Sequence, residues 1–193
     1  MTESPAERHR RIAGGFSARV AGVAAGEWDV PAPVPEWTAR DVVRHLVDWS
    51  RAFLSTGAGV ELPEGPSVDD DPAAAWQAHV TGVQALVDDP GDRVLSNPHT
   101  GDVPLAEAVD RFYTSDVLMH TWDLARATGQ DDRLDEADCA ELYDGMAGVD
   151  EMLRASGQYG PAVPVAANAP VQDRLIGFIG RDPGWEPPAR EAV

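Results

Sequence analysis

Asp116 and His120 stand four residues apart in the run Asp116-Val-Leu-Met-His120-Thr-Trp-Asp123-Leu. On a helix that spacing puts both on one face, one turn and about 6 Å apart along the axis. A carboxylate and an imidazole so placed can reach one divalent cation, as paired histidines do on a metalloprotease helix. A further donor lies upstream in Trp37-Thr-Ala-Arg-Asp-Val-Val-Arg-His45-Leu-Val, where His45 falls mid-helix among apolar neighbours. Two histidines and one carboxylate would hold a metal and leave a position open for water or substrate. Each residue also has a plain reading. An Asp-x-x-x-His pair arises often by chance, and a histidine on an apolar face is ordinarily a core residue with a satisfied hydrogen bond.

Other residues could join or replace these. Asp123, three residues after His120, could orient a ligand from behind as a second-sphere acceptor. It could equally be an ordinary carboxylate paired with Arg126 or Arg40. Trp122 reads as packing. His9 lies in a polar, arginine-rich end where solvation is expected; His79 falls on a helix and His99 in a loop, and no spacing ties either to the site. Cys139 has no histidine near it in sequence and reads as a small core residue rather than a nucleophile.

The elements that must position these groups follow from periodicity and punctuation. Ile12, Phe16, Val20 and Val23 mark the buried face of a helix over residues 4–25. Prolines at 31, 33 and 35 then force an extended connector. Thr38 with Asp41 three residues on forms a capping-box start for the helix that carries His45, expected to end before Gly57. Residues 57–71 read as loop. Asp71-Pro72 opens a third helix that stops at Asp89-Pro-Gly91. Residues 94–103 read as a second long loop. Residues 104–128 form the helix of Asp116 and His120, closed by Gly129. Asp135 caps a helix over 136–155 ended by Gly157, and a short helix over 170–179 follows a proline-punctuated stretch. No segment shows sustained strand alternation, so the class is an all-α helix bundle.

Composition narrows the chemistry. The chain has 193 residues, 43% of them hydrophobic, which suits one domain with its own core. Its formal net charge is −18, a balance that repels phosphate backbones and argues against nucleic acid. All 15 basic residues are arginine. Without lysine, Schiff-base chemistry and a P-loop are excluded. No apolar run reaches membrane length, the N-terminal stretch does not read as a secretory signal, and one cysteine fits a reducing compartment; a cytoplasmic protein is expected.

Taken together, WTARDVVRHLVDW and DVLMHTWDLARATG resemble the metal-binding half of the mycothiol-dependent maleylpyruvate isomerase family, in the DinB-like superfamily. The closing YGPAVPVAANAPVQDRLIGFIGRDPGW is similar to the tail of its stand-alone relatives, and the resemblance covers almost the whole chain. It implies a DinB-like up-down four-helix bundle with an extra short C-terminal helix. The bundle core would lie at about 4–157 and the extended segment and short helix at 158–193, without the C-terminal α/β domain of the isomerase itself. His45, Asp116 and His120 match the family's His, acidic residue and His. The family pattern carries Glu at the acidic position; Asp116, one methylene shorter, implies a tighter site or another binding mode.

The resemblance further implies one divalent metal ion, zinc first and nickel or iron as alternatives, with mycothiol as co-substrate. The expected function is a thiol-using transferase or isomerase, in which the metal activates a small thiol for attack on an electrophile. Maleylpyruvate is not the electrophile to expect of a form lacking the α/β domain. The expected partners are therefore that thiol and an electrophilic substrate, with no membrane, and a monomer or homodimer. The same three residues would also serve a non-catalytic metal-binding protein, a metal-dependent hydrolase or an iron(II) oxygenase triad.

Overall fold

The computed structural model describes residues 3–97, 101–155 and 159–188. His99 and Gly157 lie outside them. The described chain is an all-α bundle with one small hairpin. Helix α1 spans Pro5–Gly22, α2 Ala39–Ala58 and α3 Pro72–Asp88. A rod of three consecutive segments follows: α4 (Leu105–Ala108), a π-helical stretch Val109–Thr114, and α5 (Ser115–Ala127). Around the bundle α1 packs on α3 and α5, and α2 packs on the same two, so α1 and α2 face each other across the core. Phe16, Val42, Val43, Leu46, Val83, Val117 and Leu124 fill that core, each 0% exposed. Outside it, α6 (Glu136–Ala147), α7 (Asp150–Ala155) and α8 (Val171–Phe178) form a second layer. Leu175, Ile176 and Ile179 pack there with Met119, Trp122 and Cys139.

Several starts are set by local chemistry. The Thr38 side chain accepts from the Asp41 amide and the Asp41 carboxylate accepts from Thr38, a complete capping box at α2. Asp71 caps α3 ahead of Pro72, and Asp135 accepts from the amides of Ala137 and Asp138. Gly129 takes the left-handed φ of 68° that ends the α5 rod.

Four expectations need correction. Helix α1 ends at Gly22 rather than residue 25. Helix α2 runs past Gly57 to Ala58 and ends on Gly59, whose φ is 62°. Gly57 lies inside the helix with Leu95 packed on it; a Cβ there would sit 2.7 Å from Leu95 Cγ. Leu95 belongs to a hairpin inside the expected loop: β1 (Val94–Asn97) pairs antiparallel with β2 (Gly101–Pro104), Leu95 opposite Val103. The expected helix 136–155 is two helices, α6 and α7, broken by a turn at Gly148 and Val149.

A candidate metal centre

The connector before α2 does more than link. Ala32 N–H donates to Trp37 O (2.8 Å) and Ala39 N–H to Val30 O (3.0 Å), folding residues 30–39 into a tight turn. Glu36, at φ 67°, is the one non-glycine with positive φ among the described residues. The turn sets the Trp37 ring 5.0 Å from His45 and 5.6 Å, stacked, from His120. Trp49, one turn after His45 on α2, stacks on it at 6.2 Å.

Between these rings His45, Asp116 and His120 meet. The packing of α2 on α5 brings His45 Nε2 to 3.0 Å from Asp116 Oδ2 and His120 Nε2 to 3.5 Å from Asp116 Oδ1. One donor atom from each residue lies within 4.8 Å of the others. A tetrahedral zinc with bonds of 2.0–2.1 Å has donor–donor edges of about 3.3 Å; each imidazole faces its own oxygen of Asp116, and donors within 4.8 Å of one another need a small inward shift to share one ion. Burial alone would push the Asp116 carboxyl up, but His120 and the hydrogen bond from His45 outweigh it and hold the group below the usual carboxylate range. Asp116 is therefore anionic at neutral pH, as a ligand must be.

Asp123 stands behind this trio and is 0% exposed. His120 Nδ1–H donates to its Oδ2 at 2.8 Å, which leaves the Nε2 lone pair pointing at the open site. Neither alternative partner holds Asp123, since Arg126 pairs with Asp132 and Arg40 with Asp29. The charge is met by Arg181, whose Nη2 lies 3.2 Å and Nε 3.4 Å from the carboxylate. Burial again acts upward on Asp123 and Arg181 and His120 overcome it, so this carboxyl too is held low. Arg181 carries no sequence signal for the role, being 58 residues from Asp123. The aromatic walls Trp37 and Trp49 are likewise invisible to ligand spacing.

The remaining candidates lie elsewhere. Trp122 is 1% exposed and packs with Met119 and Cys139. His79 is buried with Nε2 shared between Ser50 Oγ (2.9 Å) and Tyr113 OH (3.0 Å). His9 is not solvated as expected: it is 0% exposed, its Nδ1 3.0 Å from Thr114 Oγ1. At helical spacing it shares a face with Ile12, Ala13 and Phe16, and the arginines beside it point outward or into ion pairs. Burial pushes the Cys139 thiol up to about 12.

His45, Asp116 and His120 open onto a cavity of about 770 Å³ between the bundle and the outer layer. Its wall is largely apolar, with Phe112, Met119, Leu142, Met146, Met152 and Tyr159 among the lining residues. Arg8, Arg111 and Arg181 also reach it. Arg8 is bound to Asp110 at 2.9 Å, whereas Arg111 lies over the Phe112 ring at 5.3 Å.

A family described as "Mycothiol maleylpyruvate isomerase N-terminal domain" matches residues 9–125. Two curated relatives from Mycobacterium tuberculosis are 32% identical over 184 residues, covering 92% of this chain and 97% of each of theirs: "Uncharacterized protein Rv0738" of strain H37Rv and "Uncharacterized protein MT0763" of strain CDC 1551. No solved structure matches.

Proposed function

We propose, for a chain that belongs to the mycothiol maleylpyruvate isomerase N-terminal domain family, a metal-dependent transferase or isomerase that uses a small thiol such as mycothiol. The observation that carries this reading is the convergence of His45, Asp116 and His120 within 4.8 Å at the wall of a cavity. In this reading the two Nε2 atoms and one Asp116 oxygen hold a divalent ion, zinc first. Such an ion, when bound, lowers the pKa of a thiol that reaches it and favours the thiolate.

The chain's own residues supply the rest. Two neutral imidazoles and one carboxylate leave a dication with a net charge near +1, which favours an anionic fourth partner. Asp123 fixes the His120 tautomer, so a ligand nitrogen is not lost to protonation at the wrong atom. Trp37 and Trp49 pack against the two imidazoles and restrict their ring positions. A cavity of about 770 Å³ has room for a thiol beside a second small molecule. Its apolar wall suits the electrophile's carbon skeleton.

Metal analysis of the isolated protein comes first, with about one equivalent expected. The cobalt-loaded protein is then titrated with mycothiol at pH 7. A sulfur-to-cobalt charge-transfer band is the expected result. A cobalt spectrum unmoved by the thiol would leave the non-catalytic and hydrolytic readings in its place.

A further inference from the structure

Asp123 is a carboxylate with 0% exposure. A carboxylate in that position requires charged or hydrogen-bonding partners with good geometry. His120 approaches from one side, and Arg181 from the other with two nitrogens at 3.2 and 3.4 Å. Arg181 reaches Asp123 through a specific turn. After α8, Gly180 adopts φ 88°, Gly180 N–H donates to Gly177 O (3.1 Å) and Arg181 N–H to Ile176 O (3.0 Å). This closes α8 in the manner of a Schellman cap and sends the chain back toward α5. A Cβ on residue 180 would stand 3.1 Å from Pro161 O, so the approach is close as well as left-handed. Arg181 Nη1–H also donates to Ile179 O at 2.9 Å, which fixes the guanidinium against its own turn.

We infer that Arg181 is a positioning residue for the metal centre: acting through Asp123 it holds His120, so that metal binding and docking of α8 onto α5 are coupled. The residue lies outside the 9–125 span matched by the family, and the centre is thus completed by the outer layer rather than by the bundle alone. The inference rests on the metal-binding half of the proposed function. Coupling is reciprocal: if docked Arg181 strengthens metal binding, bound metal must strengthen docking by the same factor.

The test compares zinc affinity, by competition with a chelating indicator, and cobalt absorption spectra. The proteins are the wild type, Arg181→Met, Arg181→Lys, Asp123→Asn, Arg154→Met and the double variant Asp123→Asn/Arg181→Met. Arg154 holds the same segment by donating to Phe178 O at 2.6 Å but does not touch Asp123, so it reports on docking alone. Arg181→Met is expected to lose roughly 10- to 100-fold in zinc affinity with an altered cobalt spectrum, the loss typical of a residue behind a ligand. Arg181→Lys should recover most of it, and Arg154→Met, which loosens docking but leaves the Arg181–Asp123 contact, should lose clearly less than Arg181→Met. The double variant removes charge and counter-charge together, which protects folding. It should lose less than the sum of the two single losses, because the residues act as one unit. In the wild type zinc should also slow amide exchange across Val171–Phe178.

Zinc binding by folded Arg181→Met within twofold of wild type would overturn the inference. So would an equal loss in Arg154→Met, additive losses in the double variant, or exchange in α8 that zinc does not change. A wild type that takes up no metal sinks the proposed function instead, and the two failures are therefore separable.

Discussion

His120 Nδ1 lies 2.8 Å from Asp123 Oδ2, one turn further along the same helix, and the pair is closed off from solvent. Two residues at (i, i+3) on α5 thus fix which imidazole nitrogen carries the proton and which faces the cavity.

Asp123→Asn tests that arrangement directly. The amide oxygen still accepts from His120, but Arg181 then faces a neutral group. Zinc affinity should fall about 10- to 100-fold. Stability should fall by about 3 kcal/mol, as when one member of a buried ion pair is removed. Indicator competition and urea unfolding measure the two; an affinity equal to wild type would show that Asp123 does not govern His120.

Asp116→Glu restores the carboxylate that the family resemblance leads one to expect. The Asp116 oxygens already stand 3.0 and 3.5 Å from the two Nε2 atoms, so an added methylene has no slack to fill. The expected outcome is weaker zinc binding, with His120→Ala abolishing stoichiometric binding altogether. Full occupancy of His120→Ala in metal analysis would mean that the ion sits elsewhere.

Acid should destabilise the metal-free protein through two buried histidines. Burial, then the Arg10 charge, lowers His9 from 6.5 to about 4; burial, then Arg51, lowers His79 to about 3. Both are neutral when folded. As pH falls below about 6.5 the unfolded chain binds protons that the folded chain refuses, so stability is fully present above that value and is lost going down toward the folded pKa values. From pH 7 to 5.5 the two together should cost about 2 kcal/mol. Easing of the acidic surface's self-repulsion works the other way, so the decisive reading is the difference between slopes. Urea midpoints of His79→Gln should fall less steeply with acid than those of wild type; equal slopes would refute the assignment.

Cys139 should be inert in the folded state. With its thiol pushed up to about 12 by burial, the thiolate that reagents attack is scarce at pH 8. Iodoacetamide should label it only in denaturant, and any thiol-dependent turnover should need added thiol and survive Cys139→Ala. Rapid labelling of the native protein would point to a nucleophile within the chain itself.

What could be read from the sequence was local. The Thr38–Asp41 box, the Asp71 and Asp135 caps and the Gly129 terminus each depend on atoms within a turn of one another, and each is present. The Asp116–His120 pair is legible for the same reason. Periodicity shows that α2 and α5 have inner faces but not that these faces meet; the resemblance supplied His45. The hairpin at Val94–Pro104 has strands of four residues, too short for alternation to rise above noise. His9 was legible in principle, at i−3 and i−7 from Ile12 and Phe16, but its arginine neighbours masked the pattern. Arg181 was not, since its role arises from a glycine turn and a docked layer.

The π-helical stretch Val109–Thr114 has a further consequence. Immediately upstream of Asp116, its Tyr113 hydroxyl meets His79 and its Thr114 hydroxyl meets His9, while the next turns serve His45 and Arg181. The rod is thereby keyed to the bundle at two stations, and the wide turns set the rotational phase between them. Each residue of an α-helix advances about 100° around the axis. Deleting a single residue here would leave composition, hydropathy and helical content almost untouched, yet would swing one station away from its partners by that angle. The length of this stretch is therefore held by the same contacts that hold Tyr113 and Thr114 in place.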